Sequence, residues 1–244
     1  MSLTLNTYYR NYSDENVNKV IEMYKSYFPN INFNGFVLNG KNIRFNGKNI
    51  YLDNNIVRKI KKLRDNECKM KGNECKKIEI GGVLNCDTGN CYIKNIQNGE
   101  GDTINIYSNN FNDLLFHTHP NAFGIWNKAS PPSEFDLFNS FEFASRGINK
   151  INLIWDAYGI YIYYIYPEIV DQLTKFDIQK YRDVLINIFR WTKMGFGFYY
   201  NNEDFKSQYS CFSQYRHLLK KFGIYVDYKK YNKKRISFII PKKK

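Results

Sequence analysis

His117-Thr118-His119-Pro120 sets two imidazoles one residue apart at the end of an apolar run, Leu114-Leu115-Phe116, and the chain of 244 residues has only 3 histidines. On an extended strand, residues two apart face the same way, so both rings would be presented side by side. Downstream, Asp136 falls in the first turn of a helix whose start is signalled by Pro131-Pro132-Ser133, and its carboxylate would complete a set of three donors. Three protein ligands with a fourth position open to water make a catalytic zinc site, whereas a structural zinc usually has all four positions filled by Cys and His. The expected chemistry is hydrolysis at one Zn2+ ion.

Such a site needs a proton acceptor. Ile78-Glu79-Ile80-Gly81-Gly82-Val83-Leu84 offers Glu79 at the head of an apolar strand, beside two glycines that let backbone or substrate approach where side chains would obstruct. Glu79 is the candidate general base.

Glu79 with Gly81-Gly82, then His117-Thr118-His119-Pro120, then Ser133 and Asp136, resembles the JAMM motif of the MPN-domain zinc metalloproteases: an upstream Glu, His-Ser/Thr-His-Pro, and a later Ser-x-x-Asp. The resemblance implies an isopeptidase of the deubiquitinase type. His117, His119 and Asp136 would bind zinc, Glu79 would move the proton from water to the leaving amine, and Ser133 would donate a hydrogen bond to the tetrahedral oxyanion. It also implies an α/β fold with a mixed β-sheet flanked by helices, and ubiquitin or ubiquitin-like conjugates as partners. Inactive MPN scaffolds lack ligands, and here each ligand position is filled.

The sequence departs from the family in the twelve residues from Asn121 to Pro132, about twice the usual spacing, which include Phe123, Gly124, Ile125 and Trp126. Loops vary around fixed scaffolds, so this stretch bears on the substrate more than on the metal, and Trp126 is its candidate substrate contact. A processing protease for a dedicated non-ubiquitin protein is the alternative that keeps the chemistry. Ser133 also reads as an ordinary helix N-cap and is expected to do both jobs.

Further elements frame the motif. Residues 49 to 52, 79 to 84, 91 to 96, 114 to 119, 151 to 155 and 159 to 166 read as strands, and 54 to 63 and 133 to 145 as helices, with Phe135, Leu137, Phe138, Phe141 and Phe143 as bulky core contacts of the latter. This places an MPN-like core at 47 to 167 between an extension at 1 to 46 and another at 168 to 244. The first extension holds a helix at 14 to 27 and a hairpin around Asn39-Gly40. The second holds a helix at 177 to 193, aromatic stretches at 196 to 200 and 209 to 215, and a final strand before the terminal lysines.

Cys86 and Cys91 flank Asp87-Thr88-Gly89-Asn90, a turn composition that would bring them across from each other, with Cys68 and Cys75 upstream. The spacing is not that of a tight zinc knuckle, so free thiols are expected in preference to a second metal or a disulfide. His217, among Tyr215, Arg216 and Leu218, reads as a surface or packing residue.

The net charge is +13, and Lys229, Lys230, Lys233, Lys234, Arg235, Lys242, Lys243 and Lys244 load the last sixteen residues with no acid. A basic tail of this density attracts polyanions, so nucleic acid is a candidate partner and a virion-associated MPN scaffold the alternative from another class. A nuclear-targeting or solubilising tail explains the same run. No stretch is apolar enough to span a bilayer and no signal peptide opens the chain, so an intracellular, cytoplasmic protein is expected, with nucleus or virion as other sites. Thirty-two Asn against four Ala suggest an AT-rich coding genome, such as that of a large DNA virus.

Overall fold

A computed structural model describes residues 14–29, 49–66, 68–71, 74–86, 90–100, 104–110, 113–119, 132–147, 150–156, 159–170, 172, 175–195, 216, 219–231 and 236–239. The loop with Trp126, Pro120, the hairpin around Asn39-Gly40, the aromatic stretches at 196 to 200 and 209 to 215, His217 and the terminal lysines lie outside them.

The chain is mixed α/β. In order it forms α1 (Asp14–Lys25), β1 (Asn49–Leu52), α2 (Asn54–Asn66), β2 (Cys68–Lys71), β3 (Glu74–Lys77), β4 (Ile80–Asn85), β5 (Tyr92–Asn98) and β6 (Asp113–Thr118). It continues with α3 (Glu134–Ser145), β7 (Asn152–Trp155), β8 (Gly159–Ile165), α4 (Pro167–Val170), α5 (Lys175–Gly195), β9 (Ile224–Lys230) and β10 (Ile236–Ile239). Six strands form one sheet in the order β5-β4-β6-β7-β8-β9, while β1 pairs with β10 and β2 with β3. β6 and β7 run parallel, and their connection carries α3, as a parallel pair requires a crossover. Because β9 and β10 join earlier strands, the sheets take in chain beyond residue 167.

Two compact units divide the chain: one of Met1–Leu38, Pro132–Asn149 and Ile165–Val226, the other of Asn39–Pro131, Lys150–Tyr164 and Asp227–Lys244. The first is built around Tyr181 of α5, whose ring stacks on Phe141 at 4.7 Å and meets Phe28 at 5.6 Å and Phe222 at 6.3 Å. Its hydroxyl is buried with no hydrogen-bond partner among the described residues, and burial pushes its pKa well above the usual phenol value. On α3, Leu137, Phe141 and Ala144 are buried, at the i, i+4, i+7 spacing of one helical face. Phe135 is off that stripe and 59% exposed, which corrects its assignment to the core.

The second unit holds the centre of the sheet. β4 and β6 are buried along their whole length, which explains their unbroken apolar runs. α2 lies against β7 and buries Ile56, Val57 and Ile60, with Asp53 capping it through bonds from Asn55 N (2.6 Å) and Ile56 N (3.0 Å). The β4–β5 register runs Leu84 to Ile93 and Asn85 to Tyr92, so the next pair outward is Cys86 and Cys91, and these form a disulfide with S–S 2.04 Å. The expectation of free thiols is corrected for this pair, because the register places the two directly opposite. Cys68 faces Lys77 and Cys75 faces Met70 across β2–β3.

One buried carboxylate in this unit sets an acid limit on stability. Asp113 is 1% exposed at the start of β6, where it accepts from Asn85 Nδ2 (2.7 Å), Lys94 Nζ (3.1 Å) and the Ser108 hydroxyl. Burial acts to raise its pKa, but the bonds from Ser108, Asn85 and Lys94 outweigh burial and hold it below the usual value. A depressed folded-state pKa contributes stability that is complete above the unfolded pKa of about 3.9 and is lost as pH falls through the folded value. Urea titrations from pH 7 into this acid range should show Asp113→Asn less stable by about 1–3 kcal/mol at neutral pH. The variant should lose less than the wild type on acidification; parallel acid profiles would contradict this role.

Candidate metal centre

β6 delivers the histidine pair. His117 is paired on both sides, with Gly81 of β4 and Ile154 of β7, and the His119 N–H donates to Trp155 O at 2.9 Å. Between them Thr118, fully buried, turns to the opposite face and accepts from Ile80 N through Oγ1 at 3.0 Å. That bond fastens the end of β6 to the head of β4 and fixes the strand on which both rings stand. Thr118 is a positioning residue whose only sequence signal is its place between two residues facing the other way.

The two Nε2 atoms are 3.1 Å apart, with ring centroids at 5.0 Å and planes at 54°. Tetrahedral zinc with Zn–N near 2.0–2.1 Å sets its nitrogen ligands about 3.3 Å apart, so the pair converges as two ligands of one ion would. His117 is buried and His119 half-buried.

Ser133 and Asp136 form a reciprocal capping box at the start of α3. Asp136 N donates to Ser133 Oγ (3.2 Å), while Ser133 N and Ser133 Oγ both donate to Asp136 Oδ2 at 2.6 Å. The N-cap role expected of Ser133 is present, and the same bonds orient the Asp136 carboxylate as an outer-shell partner orients a metal ligand. One ligand atom from each of His117, His119 and Asp136 lies within 4.8 Å of the others. This group can hold a metal ion. Two imidazoles and a carboxylate, with no thiolate, suit a borderline cation with nitrogen and oxygen ligands.

Comparison with protein-family models, curated proteins and solved structures found no match in any of the three.

Glu79 stands outside the close group of donors and is half-buried. Its backbone carbonyl accepts from Gly99 N at 2.8 Å. The β4–β6 pairing ends with Gly81 opposite His117, and Glu79 and His119 each lie two residues beyond that pair. Gly81 is needed for the chain's own packing: a Cβ there would lie within 3.0 Å of the side chains of Ile104 and Ile106 and of Phe116 O. Neither isoleucine stood out in the sequence, although Ile104 and Ile106 alternate with Asn105 as on a strand, because the segment pairs in no sheet.

Proposed function

We propose that the protein is a zinc-dependent isopeptidase of the JAMM type, cleaving ubiquitin or a ubiquitin-like protein from a lysine side chain. The observation that carries this reading is the convergence of the His117, His119 and Asp136 donor atoms within 4.8 Å, from residues that follow the order of that motif and its His-x-His and Ser-x-x-Asp spacings. The MPN form of the α/β fold is part of the same proposal, supported by a mixed sheet in which the strand that follows Glu79 pairs with the strand that carries His117.

His117, His119 and Asp136 hold the ion. When bound, zinc supplies Lewis acidity toward the scissile carbonyl and toward water. Glu79 accepts the proton of the attacking water and returns it to the lysine amine as the C–N bond breaks, so one carboxylate serves as base and then acid. Ser133 keeps Asp136 in place, and its hydroxyl donates to the developing oxyanion after rotating away from Oδ2, while the Ser133 N–H bond retains the carboxylate. The test is hydrolysis of linked ubiquitin chains by zinc-loaded protein, stopped by a chelator and restored by added zinc. Turnover that persists without metal would overturn the reading. Metal binding without cleavage would remove ubiquitin as the substrate and direct the search to a dedicated protein.

A further inference from the structure

Nearly all of the net positive charge falls in one of the two units. The unit containing the central strands carries 23 Lys and Arg against 11 Asp and Glu, a net +12, whereas the other carries 13 against 12, a net +1. Within the charged unit, α2 turns Ile56, Val57, Ile60 and Arg64 inward and Arg58, Lys59 and Lys62 outward. Arg58 and Lys59 precede Lys62 by four and three residues, the spacings at which helix side chains are neighbours about 5–6 Å apart. They form no ion pair with any described residue, and the acids of this stretch are engaged elsewhere, Asp53 in the N-cap and Asp65 with Arg64. Lys61 of the same helix lies over the Tyr231 ring at 5.1 Å, and Tyr231 follows the exposed Lys230 at the end of β9.

We propose that this face of α2, with Lys61 and Lys230, is a nucleic-acid-binding surface that tracks a phosphodiester backbone. The inference goes beyond the hydrolase reading and does not depend on it. Every fully exposed side chain between Asp53 and Asn66 is polar or charged, so the face lacks the apolar core around which a protein interface is built. Interfaces with nucleic acid are polar and strongly positive, and their affinity comes largely from released counterions.

Fluorescence anisotropy with labelled random-sequence single-stranded DNA, single-stranded RNA and duplex DNA tests this on the full chain, across a series of NaCl concentrations. Replacing three phosphate contacts by Arg58→Gln, Lys59→Gln and Lys62→Gln should reduce the slope of log K against log salt by about 2–3. The loss should be similar across sequences, and the probe that loses most identifies the strand form bound. Lys62→Glu alone should weaken binding in the same direction, which guards against misfolding of the triple variant. Absence of binding at the lowest salt, an unchanged slope in both variants, or tighter binding of poly-glutamate than of all three nucleic acids would overturn the proposal.

Discussion

Glu79→Gln should lower isopeptide hydrolysis by about 10²- to 10⁴-fold while the bound metal stays at the wild-type level. Glutamine keeps the size and the hydrogen-bonding reach of glutamate but cannot take up a proton. Glu79 lies outside the group of close donors, so under the proposed mechanism the change removes the base and leaves the three ligands untouched. The readout is the cleavage rate beside the metal content of the same preparation. An unchanged rate would place the base elsewhere, and a loss of metal would make Glu79 a ligand.

Gly82→Ala should be the most destabilising single-methyl change in the sheet. An added Cβ would press into the carbonyl of Asn95 on β5 and come within 2.9 Å of the Phe116 ring. Backbone cannot step aside as a side-chain tip can, and Asn95 also holds Val83 N through Oδ1 at 2.8 Å beside a register shift in β4. The expected cost is about 3 kcal/mol, at the upper end for overpacking, which lowers the melting temperature by about 6–12 °C in a chain of this length. Gly147 provides the comparison: its φ is +79° but open space surrounds it, so Gly147→Ala should cost only about 1 kcal/mol. Equal melting temperatures for the two variants would show that β5 yields freely.

The residues around the metal centre were legible because their signals are local. His-x-His on a strand and Ser-x-x-Asp at a helix start each follow from the period of a single element, and these are the residues whose donor atoms come together. β9 was missed although Ile224, Val226 and Tyr228 alternate as buried positions, because the stretch lies between the aromatic run at 209 to 215 and the lysines from Lys229 that drew the reading of the C-terminus. β2 and β3 gave little signal, since each is only four residues long and half or more of each is charged, although Cys68 and Met70 alternate with lysines. Thr118, Ile104 and Ile106 were illegible for another reason: their roles depend on partners tens of residues away, or on a glycine whose missing side chain makes room for them. Phe135 shows the reverse error, in which an aromatic residue was assigned to the core without checking that it lay on the buried stripe of α3.

Metal content tests the central claim most directly. Purified wild type and His117→Ala/His119→Ala would be dialysed against metal-free buffer, offered zinc, dialysed again and measured by elemental analysis, with circular dichroism confirming that both are folded. About one zinc per chain in the wild type and none in the double variant is the predicted result, from a site with three protein ligands and one open position. A folded wild type that retains no zinc, or a double variant that retains as much as the wild type, would contradict the account.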